Sequence, residues 1–148
     1  MKISKRDLVV AAITFCATAA LAVTGIQLEK MTSTIIAWEE MTVKETRVGA
    51  VRSLFRAPTA TLEELECHIT TLNPGETSHA PHQHPEEEII IIKEGTVEQF
   101  ANGITKKVGP GAVIFLASQQ MHAIRNVGDV PATYHVFSWR TAATRAEK

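Results

Sequence analysis

Short apolar segments separated by turn signals fill the second half of the chain. Leu65 to Leu72, Glu88 to Lys93, Val97 to Ala101, Ala112 to Leu116 and Thr133 to Trp139 are rich in Val, Ile, Thr and Phe. Between them stand Asn73-Pro74-Gly75, Glu94-Gly95, Asn102-Gly103, Gly109-Pro110-Gly111 and Val127-Gly128-Asp129. Short strands at ~10-residue spacing, with no long helical stripe, predict an all-β sandwich or barrel. Asn102-Gly103 is a two-residue hairpin signal. Ile89-Ile90-Ile91-Ile92 is apolar on both faces of a strand. One face looks inward; the other needs cover from a second sheet or another subunit.

The first part of the chain reads differently. Lys2, Lys5 and Arg6 precede an uncharged, mostly apolar run from Leu8 to Leu21, which ends in Ala20-Leu21-Ala22. A positive head, a short apolar middle and an Ala-x-Ala end predict a secretory signal peptide over 1–22, cleaved after Ala22. The run is shorter than the ~20 residues that span a bilayer, so no stable membrane anchoring is expected after cleavage. Ser4-Lys5-Arg6-Asp7-Leu8 is similar to a twin-arginine signal, with Lys5 in place of the first Arg. The expected location is periplasmic or secreted. Residues 23–60 read as an N-terminal arm with the first strands. Ile35-Ile36-Ala37-Trp38 is either a strand or the apolar patch of that arm, and Glu39 to Arg47 is charged and exposed. Residues 61–140 form the β-domain and 141–148 a tail.

Composition narrows the function classes. The chain has 148 residues, with Lys+Arg 15 against Asp+Glu 16 and a net charge of -1. That is one domain with no basic excess, so nucleic acid is not an expected partner. Two cysteines exclude a disulfide scaffold and a four-cysteine zinc site. Signal removal takes Cys16 away and leaves Cys67, which reads as a small core residue.

The six histidines carry the candidate chemistry. His82-Gln83-His84 sets two imidazoles on one face of an extended segment, and Glu88 keeps the same parity. His122, from a separate segment, is the best further donor. Imidazole and carboxylate are the ligands that borderline divalent metals prefer. Glu87 is an alternative to Glu88 if a bulge at Pro85 shifts the parity.

The spacing of these residues resembles the cupin family. Gly75, His82, His84, Glu88 and Gly95 fall on the first cupin motif, with the gap from Gly75 to His82 one residue longer than usual. Gly111, His122 and Asn126 fall on the second, with Ala117 and Gln119 replacing its Pro and Gly. The match spans about Thr61 to Arg140. The resemblance implies an all-β fold, a single jelly-roll-like β-barrel. It also implies one divalent metal (Fe, Mn, Ni, Cu or Zn) held inside by His82, His84, Glu88 and His122.

Other residues take supporting expectations. His79, three before His82, reads first as a plain loop histidine, and beside that as an alternate ligand or, with Glu88, a proton-shuttle candidate. Asn126 and His135 are placed around the site, Asn126 to orient His122 or water. Ile90, Ile92 and Ile124 share the ligands' parity, Arg125 points away, and His68 reads as structural. Three neutral His and one carboxylate leave a six-coordinate metal with two open positions, which suits an oxygenase-like enzyme. The inward positions carry no Lys or Arg to clamp a dicarboxylate or sugar phosphate, so the expected ligand is small and largely uncharged. A binding or sensing module without turnover, and a metal-dependent isomerase or hydrolase, are the alternatives. The four-Ile strand and the family's habit point to a homodimer.

Overall fold

The structure is a computed structural model that describes residues 29–146. The expected signal peptide over 1–22 lies outside the described residues. Nine strands follow one another: β1 (Val43–Thr46), β2 (Gly49–Ala57), β3 (Glu64–Leu72), β4 (Glu87–Glu94), β5 (Val97–Ala101), β6 (Ile104–Val108), β7 (Val113–Leu116), β8 (His122–Asn126) and β9 (Ala132–Arg140). A short helix, α1 (Ala142–Ala146), ends the description. The all-β reading holds, and β5 has the limits read from the pattern.

The expected closed barrel is corrected. The strands form two antiparallel sheets, one of six strands in the order β1-β2-β3-β9-β4-β7 and one of three in the order β6-β5-β8. Two isolated bridges, Thr77↔Arg125 and His82↔His122, tie the irregular span between β3 and β4 to β8 of the smaller sheet. The span between β3 and β4 explains the gap. It holds Pro74, Pro81 and Pro85. Proline has no N–H for a ladder, so this span makes single bridges and no strand. His82-Gln83-His84 therefore lies in irregular extended chain, where a strand was expected.

The core fills the space between the inner faces. Leu72, Ile90, Ile92, Val97, Leu116, Ile124, Ala132, Tyr134 and Val136 form one buried cluster. The alternation of β4 follows: Ile90 and Ile92 are buried, while Ile91 is exposed on the outer face. Tight turns set the register. Asn102 at φ 46 and Gly103 at φ 83 close the β5–β6 hairpin, with Ala101 opposite Ile104. Two positive φ values in a two-residue loop make a primed turn, which Asn-Gly favours.

The open choice at Ile35–Trp38 resolves as an arm. Ile35 is exposed, and Trp38 starts a single 3-10 turn that ends at Glu40. The Trp38 ring sits under Arg52 Cζ at 4.6 Å and Lys93 Nζ at 4.2 Å. The arm thus crosses the outer face of the larger sheet from β2 to β4. Part of the charged stretch after it, exposed as expected, pairs with β2 as strand β1.

Candidate metal centre

Two segments far apart in sequence bring three imidazoles together. His82 and His84 come from the span before β4, and His122 opens β8. Their rings pack with centroid separations of 4.5 Å (His82–His122), 4.9 Å (His84–His122) and 5.5 Å (His82–His84). One nitrogen from each lies within 4.8 Å of the other two.

Each ring is oriented by its own backbone. Nδ1 of His82, His84 and His122 meets the carbonyl oxygens of Ala80, Glu86 and Gln120 at 3.2, 3.0 and 2.8 Å. A carbonyl only accepts, so each Nδ1 carries the hydrogen and donates. Each neutral ring then presents the Nε2 lone pair, the tautomer a metal ligand needs. The donor set fits one divalent ion.

Glu88 on β4 points into the same cluster. Its Oε1 lies 3.4 Å from His84 Nε2 and its Oε2 3.7 Å from His122 Nε2. Burial pushes the Glu88 carboxyl up. The His84 hydrogen bond and the His84, His122 and His68 charges outweigh it, so the net shift is downward. His84 shifts upward, first through its hydrogen bond to Glu88, against burial. Glu87 faces elsewhere: it accepts from Trp139 Nε1 at 3.1 Å. Glu86 lies between Arg140 and His84 at the rim.

A small cavity of about 70 Å³ opens on this cluster, lined by His82, Glu88, His122, Ile90, Ile124 and others. Ile92 packs deeper in the core. A second chamber of about 380 Å³ adjoins it, shares His68, Thr70, Ser78 and His79, and adds Val48, Val51 and Leu72. No Lys or Arg lines either space. The inner cavity holds only a few waters, whereas the chamber falls in the ~300–1,000 Å³ range of ligand pockets. The chamber has room for the body of a small organic ligand.

His79 stands at the mouth, its ring edge-on to His82 at 5.2 Å. Burial and the neighbouring His82 shift it downward. Arg125 points away as expected and donates to the Gly75 carbonyl at 3.1 Å.

Asn126 and His135 sit differently from their expected places. Asn126 is fully buried, but its Nδ2 donates to the carbonyls of Leu72 and Val130 at 2.9 and 2.8 Å, and its Oδ1 accepts from Gly128 N at 2.9 Å. Both Nδ2 hydrogens and one Oδ1 lone pair serve the backbone, tying the end of β3 to the loop after β8, and none of these bonds goes to His122. His135 alternates with the buried Tyr134 and Val136 and so faces out of the sheet. Its ring stacks on Phe137 at 6.5 Å, away from the cavity.

Two further residues line the cavity: His68, which the sequence reads as structural, and Gln99, which it does not single out. His68 lines both spaces, and its Nδ1 contacts Glu66 Oε1 at 2.8 Å. The signal was parity: His68 and Thr70 alternate with the buried Cys67 and Ile69. Gln99 lines the inner cavity and is buried. Its signal was a polar side chain in step with the core residue Val97. The turn before His122 has Gln119 at the position of the family's Gly. Gln119 adopts φ 58, and its amide donates to the His84 carbonyl at 2.9 Å.

The comparisons with known proteins agree with this architecture. The profile of the cupin domain matches residues 68–138. No curated protein matches the chain. An RmlC-like cupin from Shewanella frigidimarina is similar at 14% identity and a TM-score of 0.60, over 79% of this chain and 96% of its own. A predicted oxalate decarboxylase from Thermotoga maritima is similar at 20% identity and a TM-score of 0.59, over 72% and 99%. The polyketide cyclase RemF from Streptomyces resistomycificus is similar at 20% identity and a TM-score of 0.60, over 73% and 80%. At these identities the likeness speaks for the fold alone. With two antiparallel sheets, a matching profile and three clustered histidines, the chain carries a cupin domain.

Proposed function

We propose that this cupin binds one divalent metal through His82, His84, His122 and Glu88, and acts as an oxygenase-like enzyme on a small, largely uncharged, oxygen-bearing molecule. The observation that carries the reading is the common orientation of three imidazoles, each anchored through Nδ1 to a carbonyl beside the Glu88 carboxylate. A divalent metal held there would supply Lewis acidity to a bound oxygen. The protein's part is to aim three Nε2 atoms and one carboxylate, to exclude bulk water from the inner cavity, and to receive the ligand's body in the chamber. A lining that carries Glu88 and Glu66 and no Lys or Arg favours a neutral ligand over a phosphate or dicarboxylate. Fe, Mn, Ni or Cu suits such a partly open set better than a closed structural zinc site. The proposed setting, periplasmic or secreted, rests on the sequence of residues 1–22.

The test is elemental analysis of the protein purified without chelator, followed by oxygen uptake with enolic and catechol-like compounds. One equivalent of metal and uptake that depends on it are expected. No uptake with any reconstituted metal overturns the oxygenase reading. A second reading, an isomerase or hydrolase, is favoured by His79, an imidazole outside the ligand set with a lowered pKa. The pH–rate profile of His79→Ala decides it: an unchanged profile removes His79 from the mechanism.

A further inference from the structure

The chamber beside the metal residues is polar at one end and apolar at the other. β3 lays Glu66, His68, Thr70 and Leu72 along it in that order. From β2, Ser53 stands opposite His68 and Val51 opposite Thr70. Val48 precedes β2, and its carbonyl accepts from the Asn73 amide at 2.9 Å, which sets it at the Leu72 end. Val48 and Val51 are half-buried and line the chamber, and Val48 packs against the core cluster that contains Leu72. Thr46, exposed, stands at the lip of this end. At the other end the Glu66 carboxylate meets His68 Nδ1 at 2.8 Å and accepts from Ser138 Oγ at 3.3 Å.

The inner cavity meets the chamber along His68, Thr70, Ser78 and His79, which line both. A ligand with one oxygen among the metal residues therefore enters the chamber near its middle, and the rest of it can lie toward either end. The Glu66 end continues into a further space of about 290 Å³, whose lining includes Arg56, Glu66, His84, Glu86 and Glu88. Apolar carbon placed there strips water from charged groups and returns no partner. The valine end has the opposite chemistry. A charged or polyhydroxy substituent against Val48 and Val51 gives up water for nothing, whereas an apolar one gains by leaving water.

We infer that the ligand is an amphipath, with an oxygen-bearing head at the metal residues and an uncharged apolar tail against Val48 and Val51, and that these two valines set the preference for the tail. The inference rests on the metal reading above, which supplies the anchor for the head. It narrows the ligand to short-chain acyl or alkyl compounds with a chelating oxygen. Sugars and other polyols are refused at the valine end.

The experiment uses the zinc-loaded chain and a series of hydroxamic acids with one head and growing tails: acetohydroxamic, butanohydroxamic and hexanohydroxamic acid, titrated by calorimetry. Each added pair of carbons is expected to tighten binding roughly fourfold to tenfold while apolar area is still being buried. Val48→Thr/Val51→Thr keeps the shape of both side chains and adds a hydroxyl to each. It is expected to cut the ratio of hexanohydroxamic to acetohydroxamic affinity at least about fivefold with zinc content retained. Should the double variant fail to fold, Val51→Thr alone carries the test with a smaller loss in the same direction. A flat series in the wild-type chain overturns the inference. A slope that survives the valine replacements places the tail elsewhere and also overturns it, as does a zinc-loaded chain that binds none of the three. Zinc uptake is measured first, so that the two readings fail separately. A chain that takes no zinc overturns the metal reading, and methyl NMR of that chain with hexanamide still decides the tail. Shifts at the Val48 and Val51 methyls support the apolar subsite, and their absence overturns it.

Discussion

His82 and His122 exchange both of their backbone hydrogen bonds, the His82 amide donating at 3.1 Å and the His122 amide at 2.9 Å. This bridge sets the pairing of the two segments that hold the histidines through the main chain alone. Side-chain replacements at these positions therefore leave the framework in place. His82→Ala/His84→Ala is expected to lose the metal completely while the far-UV spectrum and the metal-free melting temperature are kept. His122 is buried, so His122→Ala is expected to cost a further ~1–3 kcal/mol of stability. Elemental analysis beside thermal melts checks both. A double variant that still holds one equivalent of metal would place the centre elsewhere.

The His84–Glu88 pair makes the metal-free protein sensitive to pH from both sides. His84 has a folded pKa above the ordinary imidazole value of 6.5, first through its hydrogen bond to Glu88. Its contribution is complete below the unfolded value and is lost as pH rises through the folded value. Glu88 has a folded pKa below the ordinary carboxyl value of 4.5, so its contribution is complete above that value and lost as pH falls through the folded one. Both are present together between pH 4.5 and 6.5. Urea midpoints of the chelated protein are expected to be highest in this window. Glu88→Gln is expected to flatten the His84–Glu88 contribution on both limbs; an unchanged curve would show that the pair contributes nothing.

How far the sequence reveals this molecule depends on what each residue must satisfy. Val97–Ala101 was legible to the residue because alternation and an Asn-Gly turn act on the same strand. The ligand histidines were legible because their spacing is itself the chemistry. The open sheets were not, since the prolines before β4 remove ladder donors whose partners lie on the other sheet. Asn126 was misread because its three partners come from Leu72, Gly128 and Val130, and only folding brings those backbone groups around its amide. Gln99 and His68 were missed because a polar residue in a strand is ordinary until its inward face is known.

Two turn residues test the backbone argument in opposite directions. Gly95 has φ 80, and an added Cβ would stand 2.5 Å from Ala132 Cα. Gly95→Ala is expected to lose ~2–3 kcal/mol, since both the conformation and the space are refused. Gln119 bears a positive φ of 58 with a full side chain and is exposed. Gln119→Gly is expected to gain up to ~1 kcal/mol from relieved strain, set against the greater freedom of the unfolded chain. Chemical denaturation of both reads the signs. A gain from Gly95→Ala would refute the close approach to Ala132.

Asn126→Ala separates loop clamping from metal positioning. It leaves the Leu72 and Val130 carbonyls and the Gly128 amide short of a partner, at an expected cost of ~2–4 kcal/mol. The metal stoichiometry at low temperature is expected to be unchanged, because His122 is held by the Gln120 carbonyl. Loss of metal with stability intact would instead return Asn126 to the site.

The outer face of the larger sheet carries the last prediction. At β3 it is covered: Cys67 and Ile69 are 1% and 0% exposed. The arm reaches as far as Lys93, where Trp38 packs. Beyond it, Ile91, Val113 and Phe115 are 37%, 66% and 56% exposed. Ile91 stands opposite Val113, and Ile89 opposite Phe115, so these side chains form one apolar strip on β4 and the edge strand β7. A strip of this kind beside an unpaired edge is a liability in a lone monomer, and the same strip on a second copy is self-complementary about a two-fold axis. A homodimer is therefore expected at micromolar concentration in sedimentation. Val113→Lys/Phe115→Lys is expected to yield a folded monomer, since both positions are exposed and tolerate a charge. A monomeric wild-type chain, or a double variant that stays dimeric, would rule out this face.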